Sequence, residues 1–579
     1  MALTNREIAN IFEDISDMLQ IKGEIIHRIM AYRNVAESIR ELPRDLRTIA
    51  AEGQLETIPF VGKVMAEKIE ELLTTGKLEF YERLAAEIPP GVLDILRITG
   101  VGPKRAKQFW QEANITTVDE LEAAAREGRL SALPGMGKKS EAKILEGIES
   151  LRRRAANVRT PLGIALPAAE SILERLLALP SVGKGSVGGS LRRGRPTIGD
   201  VDLLVTSTDV PAVMNAFVSM DEVARVLGHG TTKSSVELHN GVQVDLVVIA
   251  PERWGTALAY FTGSQAHNIH VRELARQKGL TLNEHAFTSL TDGTETLCDS
   301  EEAVYAALGM QWIPPEIRED WGEIELALEN KIPDLITLDD IRADLHMHTV
   351  WSDGKATIRE MAEAARARGR EYIVITDHSR GATIANGLTI ERVLAQQEEV
   401  RAVDAEMSPT GFRVFHGTEM EIRADGTLDF PDEVLAQLDF VIASLHVGLR
   451  QSREQVTERL LNAIRNPHVD LIGHPRGQLI PDRDPADLDM DAVFAAAKEH
   501  GTALEINANP HRLDLEAQYA RRAVELGIML AIDTDAHRVE ELDLMRFGII
   551  TARRGWVQAK NVLNTMPVEQ FLGWVKQRG

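Results

Sequence analysis

Cysteine is almost absent. Cys298 is the only one in 579 residues, which excludes an internal disulfide and points to a reducing cytosol. Long apolar runs are missing too: none approaches the roughly 18 residues of a membrane span. The opening Met1-Ala2-Leu3-Thr4-Asn5-Arg6-Glu7 has no apolar signal-peptide core, so the expectation is a cytoplasmic chain with no membrane contact. Positive charge is scarce, with 65 Lys and Arg against 88 Asp and Glu, a net charge of −23. That balance excludes a broad basic footprint of the kind nucleic acid attracts. The deficit is uneven, however. Residues 1–160 carry roughly −1, and residues 161–334 and 335–579 roughly −11 each. Basic residues still cluster at Lys104-Arg105-Ala106-Lys107, Lys138-Lys139, Arg152-Arg153-Arg154 and Arg192-Arg193-Gly194-Arg195. Any grip on a polyanion is therefore local, weak in bulk and salt-sensitive.

What is present is ordinary globular composition, 44% hydrophobic and 26% charged, in a chain too long for one core. Three or four domains are expected. The last 240 or so residues place nine potential metal ligands at the ends of short strand-like runs: His346, His348, Asp353, His378, Glu419, His446, His474, Asp535 and His537. Runs such as Tyr372-Ile373-Val374-Ile375-Thr376-Asp377-His378 and Phe440-Val441-Ile442-Ala443-Ser444-Leu445-His446 each end on a ligand. In a barrel of parallel strands, side chains at the C-terminal strand ends converge on one face. Imidazoles and carboxylates without thiolate suit zinc, manganese or iron. A multinuclear hydrolytic site is the natural reading.

The spacing of His346, His348, Asp353 and Asp535-Ala536-His537 resembles the polymerase and histidinol phosphatase (PHP) family of metallo-phosphoesterases. That resemblance implies a distorted (β/α)7 barrel over residues 343–579 and up to three divalent metals, Mn2+ or Zn2+, with manganese the expected activator. It implies one metal on His346, His348, Glu419 and Asp535, and a second on Asp353, His378 and His537. Glu419 then bridges to a third held by His446 and His474. No position departs from the family pattern.

The first 150 residues read as helices joined by short turns, and one turn recurs. Its copies are Ile58-Pro59-Phe60-Val61-Gly62-Lys63, Thr99-Gly100-Val101-Gly102-Pro103-Lys104 and Pro134-Gly135-Met136-Gly137-Lys138-Lys139. A Gly-apolar-Gly turn ahead of a helix lets backbone N–H groups approach a phosphate, and the helix N-terminus adds partial positive charge. The repeat resembles the helix-hairpin-helix motif, which grips the DNA backbone without reading sequence. The expected contacts are Gly62, Gly100, Gly102, Lys104, Gly135, Gly137 and Lys138. Phe60 stands where the leading glycine of the first copy belongs, so that copy is the weakest phosphate clamp.

Residues 188–202 run from Gly188-Gly189-Ser190 through Arg193 to Gly199-Asp200-Val201-Asp202 and into Leu203-Leu204-Val205. Asp200 and Asp202, two apart on a strand, point to one face. Asp245 in Val242-Gln243-Val244-Asp245-Leu246-Val247 adds a third acid among apolar neighbours. Three such carboxylates repel unless divalent cations neutralise them. Two such ions, Mg2+ or Mn2+, suit transfer of a nucleotidyl group with loss of pyrophosphate. Gly189, Ser190 and Arg193 are the expected triphosphate cradle.

The segment Tyr260-Phe261-Thr262-Gly263-Ser264, followed by Asn268 and Arg272, resembles family X DNA polymerases of the DNA polymerase beta type. The resemblance covers residues 1–315 or so. It implies that Tyr260 and Phe261 line the sugar pocket, that Gly263 and Ser264 belong to the nucleotide-binding set, that Asn268 contacts the incoming base, and that Arg272 touches the template strand. Gln265 and Gln243 depart from it, standing where an acidic and a basic residue are common. Lys68 falls where the family's 5′-deoxyribose phosphate lyase carries its Schiff-base lysine, with Arg28 and Tyr32 at supporting positions.

The resulting expectation is a multidomain chain. A helical lyase-like region spans 1–90, helix-hairpin-helix fingers 91–160, and an α/β nucleotidyltransferase palm 161–250. A thumb-like nucleotide-binding region follows at 251–315, a linker at 316–342, and the PHP barrel at 343–579. Taken whole, the chain resembles bacterial family X DNA polymerases with a C-terminal PHP domain. That implies filling of short gaps in DNA repair, metal-dependent 3′→5′ exonuclease action, and gapped or primed DNA with deoxynucleoside triphosphates as partners. No protein partner can be named. Three alternatives stay open at this stage. They are a small-molecule phosphatase with an inert front half, a non-templated nucleotidyltransferase, and a non-catalytic DNA scaffold.

Overall fold

Hydrophobic spacing of three and four residues dominates up to residue 156, and alternation of two and short apolar strands dominate after it. The computed structural model follows that change. It describes residues 3, 5–40, 46–96, 98, 101–156, 159–238, 241–449, 451–480 and 483–577, and the chain divides into two compact units, Met1–Val158 and Arg159–Gly579.

The first unit is all helical among its described residues. Asn5–Lys22 and Ile26–Arg40 pair closely, and Phe12, Tyr32, Ile69, Phe109 and Ile148 share one buried core. The three repeated turns are superimposable in their bonding. Val61, Val101 and Met136 each donate their backbone N–H to the carbonyl three residues back, and Gly62, Gly102 and Gly137 accept from the first turn of the next helix. Gly62 and Gly102 sit at the N-caps of Lys63–Thr75 and Pro103–Ala113. Gly135 has φ +74°, and Phe60, its counterpart in the first copy, is held at φ +64°. Gly100 lies outside the described residues.

The second unit begins with a five-stranded sheet ordered Val182–Val187, Val201–Ser207, Gln243–Ile249, Lys233–Leu238, Val223–His229. Only the pair Val201–Ser207 and Gln243–Ile249 is parallel, in a register that sets Asp202 beside Asp245. Leu203, Val205, Val244, Leu246 and Val248 point into a core closed by the helices Leu162–Leu177 and Val210–Val218. Their alternates, Asp202, Leu204 and Asp245, therefore face the other way, where Leu204 packs on the helix Trp254–Thr262. Two further helices, Gln265–Gln277 and Glu301–Ala307, and a small antiparallel sheet of Leu280–Leu282, Phe287–Ser289 and Glu295–Thr296 complete this end.

Residues 316–342, expected as a linker, are packed into the fold. Ile317 and Ile324 join the core beneath Tyr305, Ile336 and Ile341 join that of the barrel, and Arg318 is fully buried. Seven parallel strands then follow in sequence order: Ala343–Asp344, Tyr372–Ile375, Arg413–Glu421, Phe440–Ser444, Leu471–Gly473, Ala503–Asn507 and Leu530–Asp533. The bridge between Met347 and Ala536 closes first strand to last, giving the expected distorted (β/α)7 barrel. Phe571, from the helix Val568–Lys576, packs on Tyr372, Phe415 and Phe440 and plugs the mouth where the strands begin. The opposite mouth receives the strand ends.

Candidate active sites

At the ends of the barrel strands the nine predicted ligands come together, and they do so because all but Asp353 lie within a few residues of a strand's C-terminal end, Asp353 following on the loop after Ala343–Asp344. Three overlapping groups each bring their ligand atoms within 4.8 Å of one another among the described residues. One is His348, Asp353, His378 and His537, another His346, His348 and Asp535, and a third His378, Glu419 and His446. Glu419 is the hub. Its Oε2 lies 3.6 Å from His346 Nε2 and 2.7 Å from His378 Nδ1, and its Oε1 lies 2.9 Å from His474 Nε2 and 3.3 Å from His446 Nε2. This layout shares His348 and His378 between groups, where the sequence reading gave each to one metal.

Fit to cations can be judged from the donors themselves. His346 Nε2, His348 Nδ1 and His474 Nδ1 are buried without a hydrogen bond, and His378 Nδ1 and Glu419 Oε2, though 2.7 Å apart, do not meet in hydrogen-bond geometry. Leaving one such atom unpaired costs about 1–3 kcal/mol, so a cluster of them is an improbable core but a suitable ligand set. Charge is separated accordingly. Burial pushes His348 down to about 3, helped by His378 and His537, while Glu419 and Glu421 overcome burial to raise His446 to about 10. Glu419 and Asp535 are held well below the usual carboxylate range against burial, chiefly by facing imidazoles.

The sequence reading missed the residues that orient these ligands. Glu505 Oε1 meets His346 Nδ1 at 2.7 Å, and Glu421 Oε2 meets His446 Nδ1 at 2.6 Å. Carboxylates behind ligating imidazoles fix the tautomer and raise basicity. Glu505 sits on the strand Ala503–Asn507, so the strand-end rule that found the histidines could have found it.

In the palm, Asp202 and Asp245 lie side by side with Asp200 just before the same strand. Burial, then the charges of Asp200 and Asp245, raise Asp202 to about 7. Lys233 Nζ reaches Asp245 Oδ2 at 2.7 Å from the neighbouring strand, and Gln243 Nε2 donates to Oδ1 at 3.0 Å. Asp245 thus has a cationic partner at position 233. Gly189 has φ +55°, and a Cβ there would stand 2.4 Å from Asp202 Oδ2, so only glycine lets this turn approach the acids.

Arg193 donates from Nη1 to the Thr262 carbonyl at 2.6 Å and from Nε to Glu319 Oε1 at 3.1 Å. Arg192 forms a two-pronged pair with Glu301, both contacts 2.7 Å. Gly263 follows the helix Trp254–Thr262, and Ser264 caps Gln265–Gln277 through the His267 N–H. Asn268 Nδ2 donates to the Tyr260 carbonyl at 2.7 Å, and Arg272 Nε to the Asn268 carbonyl at 3.2 Å. Tyr260, Asn268, Arg272, Leu282 and Asn283 line one cavity, with Phe261 edge-on to Tyr260. Ser190 lies on the short helix Gly189–Arg192 between turn and arginines.

In the helical unit, a Cβ built on Gly62, Gly102, Gly135 or Gly137 meets nothing within 4 Å, and Lys104 and Lys138 are exposed beside these turns. Lys68 lies with Nζ 4.5 Å from the centre of the Phe80 ring, which also stacks on Tyr32 and carries Arg28 at 5.6 Å. Burial, aided by Arg28 and Arg83, lowers the Lys68 ammonium below its ordinary range despite Glu71.

A polymerase-type palm and thumb joined to a metal-binding PHP barrel define the class of protein. Family models agree with that division. They are the helix-hairpin-helix domain over residues 3–78, the SAM-like helix-hairpin-helix tandem over 92–150, the DNA polymerase beta thumb over 257–319 and the PHP domain over 344–509. The chain is 37% identical over 575 residues, 99% of both proteins, to the DNA polymerase/3′-5′ exonuclease PolX of Bacillus subtilis (strain 168). A probable phosphatase of Thermoanaerobacter sp. (strain X514) is 31% identical over 237 residues, 38% of this chain and 89% of that protein. A probable phosphatase of Acetivibrio thermocellus is 33% identical over 206 residues, 34% of this chain and 78% of that protein. The chain belongs to the bacterial family X DNA polymerases that carry a C-terminal PHP domain.

Proposed function

We propose that the protein is a DNA-directed DNA polymerase that fills short gaps during repair and trims primer ends with a 3′→5′ exonuclease in its barrel. The observation that carries this reading is the in-register pair Asp202 and Asp245, facing a turn whose left-handed Gly189 would bring a Cβ within 2.4 Å of Asp202 Oδ2. Asp200, Asp202 and Asp245 hold Mg2+ or Mn2+ in the palm, and the barrel ligands hold up to three ions of Mn2+ or Zn2+. Bound cations supply Lewis acidity and charge neutralisation at both centres. The chain's own groups do the positioning. Gly189, Ser190 and Arg193 bind the triphosphate, Tyr260 and Phe261 shape the sugar pocket, and Gly263 and Ser264 add to the nucleotide-binding set. Asn268 meets the base, Arg272 meets the template strand, and the primer 3′-hydroxyl displaces pyrophosphate from the α-phosphate. In the barrel, His346, His348, Asp353, His378, Glu419, His446, His474, Asp535 and His537 orient a terminal DNA phosphodiester for hydrolysis.

The hairpin glycines with Lys104 and Lys138 grip the backbone of gapped or primed DNA. Such an enzyme works in the cytoplasm, where Cys298 stays reduced. The lowered Lys68 ammonium favours a further step, amine attack on a 5′-deoxyribose phosphate end with expulsion of water to form an imine.

The activities should separate. On a labelled one-nucleotide-gap duplex, Asp245→Ala abolishes extension and keeps shortening, and His346→Ala does the reverse. Lys68→Ala alone loses the borohydride-trapped adduct with an abasic 5′ end. Loss of both gel activities in either of the first two variants contradicts the two-centre reading.

A further inference from the structure

The helix Met545–Arg554 belongs by sequence to the barrel, yet its last residue ends against the polymerase's nucleotide cradle. Arg554 is buried. Its Nη1 lies 2.5 Å from the Arg193 carbonyl oxygen and 3.1 Å from Glu319 Oε1. That same carboxylate oxygen accepts from Arg193 Nε at 3.1 Å, and Arg195 Nη1 stands 3.7 Å away. Three arginines thus meet at one oxygen of Glu319, at the end of the thumb: Arg193 and Arg195 from the palm and Arg554 from the barrel.

A second observation shows that the contact is fitted closely. Gly194, the residue after Arg193, has φ +67°, and a Cβ there would lie 2.1 Å from Ile550 Cγ2 on the same helix. Phe547 and Ile550 of this helix also pack into the palm core. The barrel helix therefore presses on the turn that aims Arg193.

We propose that Arg554 is a positioning residue for nucleotide binding, supplied by the PHP domain, which fixes the Arg193 backbone and the Glu319 carboxylate so that Arg193 meets the triphosphate in one conformation. Glu319 must stay ionised for this. Burial would raise it, but Arg193, Arg195 and Arg554 hold it down at about 2. Without Arg554, Arg193 keeps its charge and its Thr262 contact but loses the clamp on its own main chain. The effect then falls on binding of the triphosphate, since Arg554 touches no reacting atom in the palm and none of the nine barrel ligands.

This inference rests on reading Arg193 as a triphosphate contact. The test uses the full chain and steady-state incorporation on a one-nucleotide-gap duplex, with exonuclease shortening of a single strand measured in parallel. Arg554→Met should raise the KM for deoxynucleotide about tenfold, the scale of one charge-assisted hydrogen bond, while kcat changes less than about threefold and shortening less than about twofold. Arg554→Lys, which keeps the charge, should recover part of the KM shift. Arg546→Ala should leave all three quantities unchanged. Arg546 lies on the same helix as Arg554, and its loss removes only an exposed pair with Glu170 of the palm helix Leu162–Leu177, at 3.0 Å. Should Arg554→Met fail to fold, Arg554→Lys against the unmodified chain carries the comparison, with KM expected to rise about threefold. An unmoved KM in a folded variant overturns the proposal, and so does a parallel fall of both activities, which marks a merely structural role. No incorporation by the unmodified chain overturns the polymerase reading instead.

Discussion

Asp202 is the residue whose surroundings conflict most with its charge. It is largely buried, and two more carboxylates, Asp200 and Asp245, lie nearby, so its folded value rises from 3.8 to about 7. Between those limits the folded chain holds a proton that the unfolded chain has released, and stability therefore falls as pH rises. Cations held by the three acids, as proposed, would remove the penalty. Thermal unfolding in EDTA between pH 4 and pH 7 should show a downward slope that is shallower in Asp202→Asn, and added Mg2+ should erase the difference between the two proteins. Equal slopes in EDTA would show that Asp202 ionises freely in the fold. The face it shares was legible beforehand because alternation along one strand fixes which residues point the same way. Lys233 was not. It meets Asp245 only through the register of two antiparallel strands, a relation set by pairing across the sheet. Glu421 was hidden for a like reason, since it touches His446, which lies 25 positions away in the chain.

Among the elements, the repeated hairpins were the easiest to read, because turn and helix start are both local. Gly-apolar-Gly followed by lysine predicts an N-cap with free amides, and the turns at 58–61 and 133–136 bond alike despite Phe60 replacing glycine. Phe60 accepts a left-handed conformation that costs a side chain about 1–2 kcal/mol, so the surrounding core enforces the turn. The packing of segment 316–342 was not legible, because the pairing of Arg318 with Glu301 and of Glu323 with His267 depends on distant partners. If the hairpins grip phosphates through backbone amides and single lysines, each lysine accounts for about one released counterion. Lys104→Ala and Lys138→Ala should each lower the slope of log affinity against log salt by about 0.9 for gapped duplex, whatever its sequence. Fluorescence anisotropy across a salt series gives that slope directly. A slope untouched by either change would place the DNA elsewhere.

At the scale of the whole molecule, the division of stability does not follow the division of chemistry. Palm, thumb and barrel carry separate sequence signatures, yet Leu513 and Phe547 of the barrel lie in the palm core and Trp556 lies in the thumb core. Arg521 stacks over Trp556 at 4.1 Å and donates to the Trp321 carbonyl at 3.2 Å, and Gly163 lies so close to Pro510 that a Cβ would stand 2.5 Å away. No surface in residues 159–579 separates the two catalytic regions without cutting through buried apolar side chains. The helical unit, by contrast, has a core of its own. Calorimetry of the full chain should accordingly show two transitions, one for residues 1–158 and one for the rest. Mn2+ at a hundredfold excess over its dissociation constant should stabilise the second alone, by about 2.7 kcal/mol for each site filled. His346→Ala should shrink that shift and leave the first transition in place. A barrel that melts apart from the palm would contradict the shared core, and it would also remove the physical basis on which Arg554 could act on a nucleotide pocket in another part of the sequence.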